Sequence, residues 1–394
     1  MSLISKAFKP DGILATDTGD GLYSNVMPSE NFWCDRRVAV TGHTGFKGGW
    51  MVVWLKALGA RVYGYALQPD TTPSFFDVCA LADRLPTTYG DIRDLESVRR
   101  DILAREPEII FHMAAQPLVL RSHEQPVETF ATNVMGTINL LEAARTSPSV
   151  RAVVVITTDK CYQNRGWVWG YREDEPLGGR DPYSASKACA ELATAAYRHA
   201  FFQNRSVGLG TARAGNVIGG GDWAADRIVP DAVRTLARGE VLRVRNPRAI
   251  RPWQHVLEPI AGYLNLAERL FAEPQPFGGG WNFGPSDVDC VPVSTLANLI
   301  TAAWGGQASW ISVEQPNAPH EESYLKLDSS KARYHLGWEP RLSVSEAVDW
   351  SLKWYKKALE TTDPADLYSF TLQQIENYSA RPGRSQLARN GALA

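Results

Sequence analysis

The sequence predicts a doubly wound α/β fold: a parallel sheet with helices on both faces, joined to a smaller, loop-rich α/β lobe. Three observations predict it. From Arg37 to Val217, short apolar runs alternate with stretches of helical spacing, the pattern of strands joined by crossover helices. The runs are apolar at successive positions, as strands covered on both faces are. A glycine-rich turn links the first run to the first helix, where a dinucleotide-binding sheet places its phosphate loop.

The elements follow in order. "RVAVTG" is a short strand, and "GGWMVVWLKALGA" carries helical spacing that stops at Gly59, a residue suited to a helix end. "RVYGYAL" is the second strand, and "GDIRD" follows the next. "DLESVRRDILARE" is an amphipathic helix with Asp94 placed to cap it. "EIIFHMAA" is a buried strand and "VETFATNVMGTINLLEAARTS" a long helix. "RAVVVITTDKCY" and "VGLGTARAGNVIG" are strands on either side of the helix "YSASKACAELATAAYRHAFF". Beyond Val217, glycines and prolines break the chain into short pieces dense in aromatics and arginines, the texture of a lobe built around a ligand. "SVSEAVDWSLKWYKKALE" then predicts a helix, and "DLYSFTLQQIENYSA" one more. The chain therefore divides into an extension (1–33), a nucleotide-binding domain (34–217, with a returning segment at about 250–272), a substrate lobe (218–249 and 273–360) and a second extension (361–394).

Bulk properties exclude several classes. At 394 residues, 44% hydrophobic and 21% charged, the chain has ordinary globular composition. A net charge of −2 gives no field that would gather nucleic acid or an acidic membrane. No run reaches the roughly 18 apolar residues of a membrane span, and the first residues lack the apolar core of a signal peptide. Cys34, Cys79, Cys161, Cys189 and Cys290 are scattered and odd in number, which suggests neither a disulfide framework nor a metal site. A cytoplasmic enzyme is expected.

The turn "TGHTGFKGGW" contains Gly42, His43, Thr44, Gly45, Phe46, Lys47 and Gly48. Strand, glycine turn and helix together predict a Rossmann-type pyrophosphate cradle, in which amides and a helix N-terminus face the phosphates. His43 and Lys47 are bulky for such a loop. The carboxylate that normally ends the second strand to bind the adenosine ribose is absent, because Ala66 or Leu67 falls there. No basic residue for a 2′-phosphate is there either, so NAD is preferred, with Asp70 or Asp91 as the residue that holds the adenosine. The bulk of His43 and the fixed side chain of Lys47 lead to the expectation that NAD⁺ is held loosely.

The chemical centre is expected at "YSASK" and "TTDK". Tyr183 and Lys187 lie one turn apart on one helix face, so the lysine charge can lower the phenol toward a working base. Thr158, Asp159 and Lys160 follow an apolar strand, at the end that faces the ligand crevice. A neighbouring carboxylate and amine suit acid–base work if their pKa values are tuned.

The motifs "TGHTGFKGGW", "FHMAAQPLV", "TTDKCYQNRGWVWGYRE", "DPYSASKACAEL", "RAGNVIGGGDWAADRIVPD" and "NPRAIRPWQHVLEP" resemble the nucleotide-sugar 4,6-dehydratase branch of the extended short-chain dehydrogenase/reductase family. Within it, the resemblance is to enzymes of CDP-glucose. It runs from about Arg36 to Trp354. It implies oxidation of the sugar at C4, loss of water across C5 and C6, and return of the hydride to C6, with NAD regenerated at each turnover. Tyr183 would deprotonate the C4 hydroxyl, Lys187 would support it and hold the nicotinamide ribose, Thr158 would bind the sugar oxygen, and Asp159 would protonate the departing C6 hydroxyl. Lys160 would be either the C5 base or the cation that steadies the enolate. The resemblance adds Ile92, Ala114, Ala115 and Asn133 to the cofactor side. Gln116, Arg121, Asn216, Arg227, Arg248, Arg251 and His320 would bind CDP-glucose, the cations among them as a diphosphate clamp. It also implies a homodimer or homotetramer paired through helices at about Val127–Arg145 and Ser184–Phe202.

Overall fold

A computed structural model describes residues 26–313 and 324–384. Seven parallel strands form the main sheet: β1 (Arg37–Thr41), β2 (Arg61–Ala66), β3 (Thr87–Tyr89), β4 (Ile109–His112), β5 (Ala152–Ile156), β6 (Gly208–Ala214) and β7 (Gly279–Phe283). Their order is β3-β2-β1-β4-β5-β6-β7. The strand sequence reverses direction between β1 and β4, and a ligand crevice opens at the carboxyl ends beside such a switch point. β4 and β5 are buried along their whole length, as the apolar runs "IIFH" and "AVVVI" require. β7 comes from the glycine- and proline-rich stretch given to the second lobe by the sequence.

Two layers cover the sheet. On one face lie α1 (Leu95–Arg105) and α2 (Gly136–Thr146), whose Val98, Ile102, Leu140 and Leu141 pack on Ala39, Ile110 and Val153. Asp94 caps α1 by accepting from Ser97 N at 3.1 Å. The helix Phe46–Ala57 lies on the other face with Leu257–Ala272, and both bury Trp, Val and Leu side chains in the larger core. Phe46–Ala57 is apolar almost all round, which marks a helix covered on every side. Its outer side meets the C-terminal helix Pro364–Ser379, where Trp54 and Tyr378 rings lie 5.6 Å apart.

The stretches expected as extensions are docked where they are described. Trp33 is fully buried, and its Nε1 donates to Glu268 at 2.7 Å. Tyr378 OH donates to Glu258 at 2.6 Å. Both carboxyls belong to helix Leu257–Ala272, and burial pushes each up to about 7, so neutral donors satisfy them well. In the first stretch few apolar residues do the anchoring, so no lasting periodicity announces it, whereas the second docks through the helix expected at "DLYSFTLQQIENYSA", which buries Leu367, Ile375 and Tyr378.

The second lobe holds a three-stranded sheet, in which Ile250–His255 runs parallel to Asn216–Ile218 and antiparallel to Cys290–Pro292. Leu242–Val244 pairs with Trp310–Ser312. This lobe closes over the carboxyl ends of β5 and β6.

Candidate active site

A cleft of about 1450 Å³ runs between the lobe and the strand ends. The loop after β1 forms one end. Gly42 has φ +72°, and a Cβ there would stand 2.6 Å from Ala114 N, so only glycine permits the close approach. A Cβ on Gly48 would run into the Gly42 carbonyl. No side chain caps helix Phe46–Ala57, which leaves its first amides open to the cleft. A tight amide-lined turn before an uncapped helix fits a dinucleotide pyrophosphate. Thr44, Gly45, Phe46, Lys47, Asp91, Ile92, Ala114 and Ala115 also line this part. At the end of β2, Ala66, Leu67, Gln68 and Asp70 line it without a ribose carboxylate on the strand itself. Asp91 is paired with Arg93 at 2.6 Å, and the hydrogen bonds from Arg93 hold its carboxyl below the usual range. The sequence reading overlooked Arg93.

His43 behaves differently from what was expected. Its side chain is fully buried and does not line the cleft. The ring lies edge-on to Phe76 at 5.4 Å, and Nε2 meets Thr87 Oγ1 at 3.1 Å. Gly64 makes the room, since a Cβ there would overlap the ring. Burial lowers the ring to about 4, so His43 is neutral. The expectation that its bulk pushes a dinucleotide outward is overturned: the bulk points into the core. Asn133 is likewise buried. Its Oδ1 accepts from Gln116 N at 2.8 Å and its Nδ2 donates to Ser186 Oγ at 2.8 Å. It lies on a wide helical turn between Pro126–Phe130 and α2, and there it ties the loop after β4 to the helix that carries Tyr183.

The other end of the cleft is built from ionisable groups. Tyr183 and Lys187 lie on α3 (Pro182–Tyr197), capped by Asp181, which accepts from Ser184 N at 2.9 Å. Thr158, Asp159 and Lys160 form the turn after β5. Thr158 stands beside Tyr183, and its Oγ1 donates to Asp159 Oδ1 at 2.9 Å. Asp159 is 2% exposed, and its Oδ2 has no protein partner. Burial raises its carboxyl above the ordinary range, against the pull of Lys160 and Arg251. The result is a buried carboxyl shifted toward its protonated form, with one oxygen lacking a protein partner. Lys160 is half-buried beside it and lines the cleft.

The expected lowering of the Tyr183 phenol by Lys187 is not found. Burial pushes the phenol up to about 12, and Thr158 and Arg227 oppose that. The Lys187 ammonium instead donates to Ile156 O at 3.1 Å, and burial lowers it to about 8. The spacing placed both residues on one face, but the side chain of Lys187 runs to the strand end. Lys47 also reaches this region. Burial, then Arg227 and Lys187, lowers it to about 7.

Of the substrate-side residues, Gln116, Arg121, Asn216, Arg227 and Arg251 line the cleft. Arg227 pairs with Asp222 at 2.7 Å and Arg121 with Glu128 at 3.1 Å. The amide of Gln116 is occupied by Leu118 and Thr129. Arg248 is exposed and outside the cleft lining. Arg245 lines the cleft in its place, 3.4 Å from Asp226. His320 lies outside the described residues. Trp167 packs on Tyr171 with ring centres 5.2 Å apart. No group of residues able to hold a metal ion occurs among the described residues.

Comparison with known proteins bears on this geometry. Residues 39–350 match the family model described as GDP-mannose 4,6 dehydratase. A CDP-glucose 4,6-dehydratase of Salmonella typhimurium is 52% identical over 342 residues, 86% of this chain and 95% of that protein. A dTDP-glucose 4,6-dehydratase of Xanthomonas campestris pv. campestris is 28% identical over 80% of this chain and 92% of its own length. Among solved structures, a dTDP-glucose 4,6-dehydratase of Streptomyces venezuelae with NAD and TYD bound superposes with a TM-score of 0.69 at 24% identity. It covers 81% of this chain and 97% of that one, and shows the shared fold. The chain belongs to the GDP-mannose 4,6 dehydratase family, within the nucleotide-sugar dehydratase branch of the extended short-chain dehydrogenase/reductases.

Proposed function

We propose that this protein converts CDP-D-glucose to CDP-4-keto-6-deoxy-D-glucose with NAD as its cofactor. The observation that carries the reading is Asp159: a buried carboxyl whose burial favours the protonated form, with an unpartnered oxygen, bonded to Thr158 beside Tyr183. Loss of a hydroxyl needs such an acid. The 52% identity to a CDP-glucose enzyme supports the choice of base.

NAD, when bound, would take up the hydride from C4 in its oxidised form and, so reduced, would return it to C6. Gly42, Gly45, Phe46 and Gly48 would hold its pyrophosphate, with Ile92, Ala114 and Ala115 beside it and Lys187 at the reactive end. Tyr183 takes the proton of the C4 hydroxyl, and Thr158 holds that oxygen. Asp159 gives its proton to the C6 hydroxyl, which leaves as water. Lys160, next on the turn, takes the C5 proton as the C6–O bond breaks. Arg227 and Arg251 receive the diphosphate.

A second copy of the chain is the other partner. Val127, Phe130, Met135, Leu192 and Phe201 are exposed apolar residues on the helical segments before α2, on α3 and on the wide turn that continues it, and pairing of these helices would cover them. The cytoplasm suits a soluble nucleotide-sugar substrate. No described helix is long and apolar enough to cross a membrane. Incubation with CDP-, dTDP-, UDP- and GDP-glucose tests the function. The alkaline absorbance of a 4-keto-6-deoxy sugar is expected to rise fastest with CDP-glucose. An equal or faster rise with another base would reassign the substrate.

A further inference from the structure

Beneath the catalytic turn lies a buried polar cluster that the reaction scheme leaves unused. Glu191 follows Lys187 by one turn and Tyr183 by two, so all three share one face of α3. Glu191 is buried and does not line the cleft. Its carboxylate accepts from two strands. Thr157 Oγ1, at the end of β5, donates to Oε1 at 2.5 Å. On β6, Thr211 Oγ1 donates to Oε2 at 2.6 Å, and Arg213 donates through Nε and Nη2 at 2.9 and 2.8 Å. Arg213 Nη1 donates to Tyr162 OH at 2.7 Å, and Tyr162 donates to Asn282 on β7 at 2.7 Å. Thr157 immediately precedes the Thr158–Lys160 turn and Tyr162 closely follows it. The cluster therefore grips both ends of the turn.

Stability alone is a weak reason for such a pair, because a buried ion pair is often replaceable by apolar residues at no loss. Placement is a better one. Burial by itself would raise the Glu191 carboxyl, but the charge and hydrogen bonds of Arg213, with Thr157 and Thr211, outweigh it and hold the group below the usual range. Glu191 is thus a fixed anion, satisfied on both oxygens. Catalytic groups must meet the substrate in a narrow geometry, and a displacement of about 1 Å can cost roughly 10²-fold in rate.

We propose that Glu191 is a positioning residue: through Thr157 and Arg213 it holds the Thr158–Asp159–Lys160 turn in register with Tyr183 and Lys187. The proposal rests on the dehydratase reading of the cleft. Glu191→Gln removes the anion at constant size. Thr157→Val cuts the arm to the start of the turn while leaving the Glu191–Arg213 pair and its arm through Tyr162, and Thr157→Ser restores the hydroxyl. The measurements are kcat and KM for CDP-glucose, CDP binding by calorimetry, and thermal midpoint. In Glu191→Gln kcat is expected to fall by about 10²-fold, and in Thr157→Val by about tenfold, with KM within about threefold and CDP binding kept. Thr157→Ser should recover most of the rate. If Glu191→Gln does not fold, Thr157→Val decides. Wild-type kcat in a folded Thr157→Val protein, or a loss confined to KM, overturns the positioning role. An inactive wild type sinks the dehydratase reading and this proposal with it, whereas active variants beside an active wild type sink the proposal alone.

Discussion

The phosphate loop and the catalytic turn sit at the same edge of one sheet, yet burial uses their polar side chains in opposite ways. At the phosphate loop, His43 is drawn into the core, neutral at about 4, against Phe76 and above Gly64. The backbone amides are left to face the cleft. At the catalytic turn and the start of α3 the side chains themselves face the cleft, and burial retunes them: Asp159 and Tyr183 are raised and Lys187 lowered, as is Lys47, which reaches across from the phosphate loop. One end of the cleft binds with its main chain, and the other reacts with its side chains. Both are loops in a glycine-punctuated α/β sequence, and only packing separates them.

The sharpest way to break this contrast is at the reactive end. Tyr183→Phe removes the base for the C4 hydroxyl and is expected to lower kcat by roughly 10²–10⁴-fold, with CDP binding by calorimetry intact. A variant that keeps more than a tenth of the wild-type rate, by the order of magnitude one acid–base group contributes, would take Tyr183 out of the chemistry. Asp159→Asn keeps the shape but not the proton, and should slow water loss more than oxidation at C4. It also predicts a pH effect. The raised carboxyl of Asp159 must stay protonated to act, so wild-type dehydration should fall as pH rises through that raised value. The Asn variant should lose that limb of the profile, and an unchanged limb would assign it to another group.

Predictions at the phosphate loop are smaller and differ in kind. His43→Gly should cost stability, about 2–4 kcal/mol by analogy with other buried large-to-small changes, read as a lower thermal midpoint. It should leave NAD⁺ affinity little changed, because the ring does not face the cleft. Lys47→Ile should do the reverse. The Lys47 ammonium stands near Asp159, Arg227 and Lys187, where a dinucleotide must reach Tyr183. Its removal should tighten NAD⁺ by on the order of 1 kcal/mol, the scale of one fixed side chain, in a calorimetric titration. Weaker binding in the Lys47 variant would show that this cation assists the phosphates.

Much of this was legible in the sequence, and the exceptions have physical reasons. The apolar runs gave away most strands of the sheet because both faces of a parallel sheet are covered. β7 was hidden because "GGWNF" is short and starts with glycines, and it is a strand only through its pairing with β6. Tyr183, Lys187 and the Thr158–Lys160 turn were readable from local spacing. The inward turn of His43 was not, since it depends on Gly64 from a neighbouring strand. Nor was the raised phenol of Tyr183, since burial outweighs a lysine whose ammonium bonds to Ile156 O. Glu191 could have been found from its four-residue spacing after Lys187, but its partner Arg213 lies on β6 and only the fold brings them together.

The central claim is an internal transfer of hydrogen from C4 to C6 coupled to loss of water. CDP-glucose deuterated at C4 tests it most directly, with the product examined by NMR. The account predicts a 4-keto-6-deoxy sugar that carries the deuterium at C6. Deuterium returned to C4 of an isomeric hexose, or lost to solvent, would contradict it.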